Sequence, residues 1–383
     1  MKLRKTIVLK GTMDCNLRCR YCYEFRQNGE AYSKEILSSS DSINIIERFA
    51  KLFPESEILW LIHGGEPLLR GVEYFEKITQ SIRNANENYN VNFKIAIQTN
   101  GTLLTNRWID SFEKNIDVFG ERIISVSIDG SEKSNGDVRV NRTGQSAHNR
   151  IISGIERIRK SSLDFTTISV VGEHNVNIAQ ETYEFIKELN PNFAKFIPCY
   201  NHDKYGYKEL YGITPLEYTN FICNIFDLWI KDLKNKKDNR FIIDPIISVI
   251  SKLTDIPVTW CEFRTSKCEN FTSIYPDGEM WLCDAYDHDK MRAEAFIGNI
   301  LTISDEQLKS VIVDPCNSCK FTKFYDDIMA ECLSCDIYKY CAGGCIEKRQ
   351  QMITKSHDLS REYCQAKKEL ISYIKNGVDH ALT

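Results

Sequence analysis

The sequence lacks any apolar run approaching the ~20 residues that a membrane-spanning helix requires, which excludes a helical membrane protein. It also lacks a surplus of one charge. Its 49 Lys and Arg face 53 Asp and Glu, for a formal net charge of −4, which argues against a nucleic-acid surface or a polybasic membrane patch. The opening "MKLRKTIVLKGTMDC" has basic residues and a short apolar run but no small-residue cleavage site, so it does not read as a signal peptide. Low-complexity segments are absent too. The expectation is a cytoplasmic protein without nucleic-acid or membrane partners. Thiols stay reduced in that compartment, so the 15 cysteines are expected to bind metal rather than to pair. A chain of 383 residues, 42% hydrophobic, can bury two or three domains, or one barrel with an appendage.

Residues 5–198 alternate short β-branched runs with amphipathic stretches. Strands are expected at 5–12, 57–65, 92–100, 122–130, 164–172 and 192–200. Helices are expected at 41–53, with Asp41 as N-cap, and at 72–85, 106–115, 147–160 and 178–189. Six βα repeats imply an α/β fold with a parallel sheet and right-handed crossovers, an open partial barrel rather than a closed one of eight. "TPLEYTNFICNIFDLWIKDLKNKK" (214–237) reads as a long helix, and "NRFIIDPIISVISKL" (239–253) as another. From Cys261 onward, ten of the 15 cysteines crowd into about a quarter of the chain. These shifts divide the chain into a barrel (1–235), a bridging helical segment (236–260) and a cysteine-rich domain (261–383).

"MDCNLRCRYCYE" places Cys15, Cys19 and Cys22 as CxxxCxxC just after the first strand, with no fourth cysteine nearby. Structural zinc sites close with four ligands, and an open metal position marks a catalytic one. Three thiols can hold three irons of a cubane and leave the fourth open. The loop also falls at the C-terminal mouth, where barrel active sites lie. A zinc site and chance spacing are the alternatives.

"CNLRCRYCYE" resembles the cluster loop of the radical S-adenosylmethionine (SAM) enzymes. The resemblance implies a TIM-like (β/α)6 radical SAM barrel. It also implies a 4Fe–4S cluster on Cys15, Cys19 and Cys22 that cleaves SAM to methionine and a 5′-deoxyadenosyl radical. Further motifs end the next strands. "HGGEP" (63–67) resembles the family's GGEP motif and assigns Gly64, Gly65 and Glu66 to the amino end of SAM. "QTNG" and "SIDG" bring Gln98, Asn100, Ser127 and Asp129 to the same mouth. Arg139 resembles a family carboxylate partner, and Ile197 could pack on the adenine.

The tail resembles a SPASM domain, which carries auxiliary 4Fe–4S clusters in peptide- and protein-modifying radical SAM enzymes. The resemblance implies one cluster on Cys261, Cys268, Cys283 and Cys345, and another on Cys332, Cys335, Cys341 and Cys364, three clusters in all. Cys199 and Cys223 read as small buried hydrophobes. Cys316 and Cys319 in "DPCNSC" depart from the pattern, as ligands, a zinc pair, a dithiol or incidental thiols. Zinc is the alternative for the whole tail.

Asp284 resembles the "CD" position that supplies a proton acceptor in anaerobic sulfatase-maturing enzymes; an ordinary carboxylate beside a cluster is the other reading. The main expectation is a maturase that crosslinks a ribosomal precursor peptide through a carbon–carbon (cyclophane-like) or thioether bond. The second is a sulfatase-maturing enzyme that makes formylglycine, which Tyr23, Gln98 and Asp284 fit. Those enzymes have "WQGGEP", where this chain has "LIHGGEP" with His63. With 14 residues ahead of Cys15, no N-terminal leader-binding domain is expected, which weakens the first reading. A reductase such as flavodoxin or ferredoxin is the implied electron partner. From another class, an iron–sulfur carrier or a zinc scaffold would carry no catalysis.

Overall fold

The computed structural model describes residues 3–25, 33–201, 209–235, 242–258, 260–266, 268–285, 294–314 and 322–382. Seven strands, β1 (Arg4–Lys10), β2 (Glu57–His63), β3 (Asn92–Thr99), β4 (Phe119–Ser127), β5 (Phe165–Val171), β6 (Phe193–Pro198) and β7 (Ile242–Asp244), pair in parallel in chain order. Three more extend the sheet from its first edge. β8 (Phe271–Ile274) runs parallel to β1, and β9 (Glu279–Trp281) and β10 (Phe296–Asn299) follow antiparallel. The cysteine-rich part thus begins as a continuation of the barrel sheet, across the expected divisions at 235 and 261.

Helices cover the sheet. They are α1 (Ser39–Leu52), α2 (Val72–Asn88), α3 (Asn106–Lys114), α4 (Glu132–Asn135), α5 (His148–Arg159), α6 (Ala179–Leu189), α7 (Pro215–Lys234) and α8 (Ile246–Leu253). Then come α9 (Asp305–Val313), α10 (Thr322–Leu333), α11 (Tyr338–Cys341), α12 (Ile346–Lys355) and α13 (His357–Leu382). α1 starts earlier than expected, because the Ser38 hydroxyl accepts from the Asp41 amide and so takes the cap assigned to Asp41. Thr214 and Glu217 form a capping box at the start of α7, with Pro215 at a position where its missing N–H costs nothing.

Of the segment expected as one helix over 239–253, the described residues, from 242, form a short strand and a short helix divided at Pro245. Its three paired residues seat on β6, which adds a seventh parallel strand to the six expected. The main core is a continuous apolar layer between sheet and helices, with Trp60, Phe93, Phe112 and Phe196 among its fully buried side chains. Among the described residues no helix is long and apolar enough to cross a membrane.

Candidate active site

The loop after β1 carries the cysteine trio, and the turn after β2 clamps it. Gly65 N–H donates to Thr12 O at 3.1 Å, and Glu66 N–H to Asp14 O at 2.8 Å. A Cβ on Gly65 would lie 2.1 Å from Asp14 O, and one on Gly64, whose φ is +118°, 2.4 Å from Thr12 O. Only glycine permits that approach. The backbone that Gly64 and Gly65 approach is therefore the cysteine loop itself.

Around the trio, Leu17 N–H points at Cys15 Sγ at 3.3 Å and Asn100 Nδ2 at the same sulfur at 3.7 Å. Arg139 Nη1 lies 3.9 Å from Cys19 Sγ. Burial pushes the Cys15 thiol up to about 12, and it raises Cys19 and Cys22 as well. Such thiols are inert as acids; metal ligation is the chemistry that makes thiolates of them. The donor set fits an iron–sulfur centre with three protein ligands.

The Glu66 carboxylate is fully buried, and both its oxygens are taken. Oε1 accepts from Leu68 N–H (3.0 Å) and the Thr99 hydroxyl (2.7 Å), Oε2 from Asn100 N–H (2.8 Å). Glu66, the side chain expected to receive an ammonium group, also ties the turn after β2 to the end of β3. Asp129 is equally buried. It takes Arg139 bidentately, Nε to Oδ2 at 3.0 Å and Nη2 to Oδ1 at 3.1 Å, and also the Tyr21 hydroxyl and Val170 N–H. Burial opposes its charge, but Arg139 and His174 outweigh it and hold the carboxyl well below its usual range. Gln98, Ser127 and Ile197 are half-buried near the C-terminal ends of β3, β4 and β6. Strand register and side-chain alternation put them on one face of the sheet.

At the β1–β2 side of the mouth lies a cluster whose members are far apart in sequence. Lys10, fully buried, donates to Glu24 Oε1 at 2.6 Å and to the Tyr275 hydroxyl at 3.0 Å. His63 Nδ1 sits 3.7 Å from Glu24 Oε1 and 3.6 Å from Asp284 Oδ2. The Tyr23 hydroxyl donates to Asp284 Oδ2 at 3.2 Å. Burial raises the Asp284 carboxyl, but Lys10, His63 and the Tyr23 hydrogen bond together bring it below its ordinary value. Burial also lowers His63, more than the two carboxylates raise it. Asp284 is thus a carboxylate beside the His63 imidazole, able to accept a proton. Lys10 and Glu24 escaped the sequence reading, and the signal was a lysine closing an otherwise apolar strand.

In the tail, Cys283 lies close enough to Cys268 and Cys261 for their charges to act on it, and Cys345 likewise feels Cys261. Cys332, Cys335, Cys341 and Cys364 line one cavity. The four thiols around one cavity suit a closed cluster. The Tyr363 hydroxyl joins the two groups: it precedes Cys364 in the chain, accepts from Cys345 N–H at 3.0 Å and donates to Glu262 Oε1 at 2.9 Å. None of the described cysteines is in a disulfide. Cys316 and Cys319 lie outside the described residues.

Residues 9–186 match the family described as the Radical SAM superfamily. Residues 9–186 are thus a radical SAM domain with the cysteine trio at its mouth, and S-adenosylmethionine and a 4Fe–4S cluster are the cofactors of that family. Among curated proteins it is 27% identical to the cysteine-type anaerobic sulfatase-maturating enzyme of Clostridium novyi, over 91% of this chain and 90% of that one. It is 24% identical to the serine-type enzyme of Bacteroides thetaiotaomicron, over 88% and 80%. The solved structure of native anSMEcpe with bound AdoMet superposes with a TM-score of 0.81 at 24% identity, over 99% of both chains. That of Streptococcus suis SuiB bound to its precursor peptide SuiA gives 0.58 at 16% identity, over 92% of this chain and 74% of that one.

Proposed function

We propose that the protein oxidises a cysteine side chain of a peptide or protein substrate to formylglycine, in the manner of cysteine-type anaerobic sulfatase maturation. The observation that carries this reading is Asp284, which stands at the mouth with the Tyr23 hydroxyl 3.2 Å and His63 Nδ1 3.6 Å from its Oδ2. Full-length similarity to sulfatase-maturating enzymes supports it. Peptide crosslinking, the main expectation from sequence, has weaker support, because the likeness to SuiB is one of fold.

A cluster on Cys15, Cys19 and Cys22 would hold SAM, which would supply the radical chemistry at the substrate Cβ, and clusters on the two quartets of the tail would supply an acceptor for one electron. The thiol proton goes to Asp284, leaving a carbon–sulfur double bond that water converts to the aldehyde with release of hydrogen sulfide. Arg139 is the partner for the SAM carboxylate, Asn100 borders Cys15, and Gln98, Ser127 and Ile197 line the bed for the nucleoside. In this reading there are three clusters, on Cys15, Cys19 and Cys22; on Cys261, Cys268, Cys283 and Cys345; and on Cys332, Cys335, Cys341 and Cys364. A flavodoxin or ferredoxin serves as reductant.

The test is anaerobic reconstitution followed by SAM, dithionite and a cysteine-containing sulfatase peptide, with aldehyde trapped by a hydrazide. The expected result is 5′-deoxyadenosine together with trapped aldehyde. In Asp284→Asn, 5′-deoxyadenosine formation persists while aldehyde falls by about 10²-fold or more. A crosslinked peptide without aldehyde would overturn the assignment.

A further inference from the structure

The two cysteine quartets of the tail sit in different electrostatic surroundings. In the inner quartet, Cys261 and Cys283 are each followed by an acid, and Asp284 Oδ1 lies 3.9 Å from Cys283 Sγ. Glu262 is fully enclosed and compensated by Lys367 Nζ at 2.5 Å and Lys348 Nζ at 3.6 Å. The outer quartet has a buried cation of its own. Arg349 is 3% exposed, lines the cavity formed by the four cysteines, and donates from Nη1 to Cys332 Sγ at 2.8 Å. Cys335 too is followed by an acid, with Asp336 Oδ1 3.5 Å from its sulfur, but the acids near the outer quartet are exposed and paired: Glu331, 3.5 Å from Arg349 Nη2, and Asp336, 3.1 Å from Lys368 Nζ. Their fields pass through water and are screened, whereas that of the enclosed guanidinium is not.

We propose that Arg349 raises the reduction potential of the centre held by Cys332, Cys335, Cys341 and Cys364 above that of the inner centre, making the outer quartet the collecting point for the electron removed from substrate. A cluster gains negative charge on reduction. A fixed cation that also hydrogen-bonds a ligand sulfur stabilises the reduced form more than the oxidised one. One electron leaves the inner centre, which is oxidised, for the outer, which is reduced. A one-electron carrier protein then takes it from the side where Cys364 is exposed. Arg349 is a positioning residue here, since it acts through Cys332 and touches no substrate. The inference rests on the three-cluster reading above.

The experiment is a potentiometric titration of the iron-loaded full chain followed by electron paramagnetic resonance, for wild type, Arg349→Gln and Arg349→Lys. Arg349→Gln should lower one auxiliary midpoint by at least about 59 mV, a tenfold change in the reduced-to-oxidised ratio of a one-electron couple. Iron per chain and the other two midpoints should stay as in wild type, and Arg349→Lys should recover most of the shift. An unchanged midpoint at full iron content overturns the inference. Should Arg349→Gln fail to retain iron, Arg349→His decides. Its midpoint must fall more steeply than that of wild type as pH rises through the imidazole range, and an equal slope overturns the inference. A wild-type chain with a single auxiliary centre sinks the three-cluster reading and the inference together. Two auxiliary centres without a shift sink the inference alone.

Discussion

Glu66 shows how a motif residue can serve the fold as well as the ligand expected for it. Its place after Gly64 and Gly65 suggests a ligand contact, and its two oxygens also accept three hydrogen bonds inside the protein. Burial pushes its carboxyl up to about 7, against the pull of the three hydrogen bonds. The native state therefore holds a proton that the unfolded chain, with an ordinary value near 4.5, has already lost. Between those two values the folded protein binds more protons than the unfolded one, so stability falls as pH rises, by about 3 kcal/mol across the window. Chemical denaturation of wild type and Glu66→Gln from pH 5 to pH 8 checks this. The stability difference should move against wild type as pH rises to about 7 and then level off; a difference constant with pH refutes it. The cysteines were legible because ligand spacing is local in sequence. Lys10, Glu24 and Tyr275 were not: the loop after β1 returns Glu24 to Lys10, and the pairing of β1 with β8 brings in Tyr275 from 265 residues away.

The parallel strands and their covering helices could be read element by element, since each carries its own apolar period. β7 could not: three residues ahead of Pro245 are too few to show alternation, and only the edge of β6 makes them a strand. α13 was missed for another reason. Its run of 26 residues carries a regular apolar face, with Leu370, Ile371 and Ile374 buried, but the cysteine spacing dominated the reading of that segment. The helix lies against α7 so closely that a Cβ on Gly377 would stand 2.3 Å from Phe226 Cε1, and Phe226 is itself buried. Gly377→Ala gains about 1 kcal/mol of helix propensity. Overpacking a ring that cannot retreat costs about 1–3 kcal/mol. The clash should win, so Gly377→Ala is expected to lower the melting temperature. A higher melting temperature for Gly377→Ala would mean that α13 is not pressed onto α7.

At the scale of the whole molecule, apolar packing and metal ligation divide the work of holding the chain together. The sheet and its helices share one extensive core, to which α13 adds Leu370, Ile371 and Ile374. The stretch from α10 to α12 joins it mainly through partly buried side chains, among them Met329, Ile337, Tyr340 and Ile353. Ile328 and Ile346 reach the main core, while Met352 joins only Leu359 and Tyr363 in a small separate group. What this stretch does have is Cys332, Cys335, Cys341 and Cys345, whose expected partners Cys261, Cys268, Cys283 and Cys364 lie on other segments. Clusters on the two quartets would close long chain loops that the apolar contacts alone leave weakly fixed. Removing iron under anaerobic conditions should therefore act unevenly. Amide hydrogen exchange should accelerate across 322–356 while β1–β6 and the 370–374 part of α13 keep their protection, because their burial owes nothing to the metal. Equal acceleration throughout, or none in 322–356, would show that the tail is not held by its thiols. In that case the assignment of both quartets as cluster ligands falls, whatever becomes of the trio at the barrel mouth.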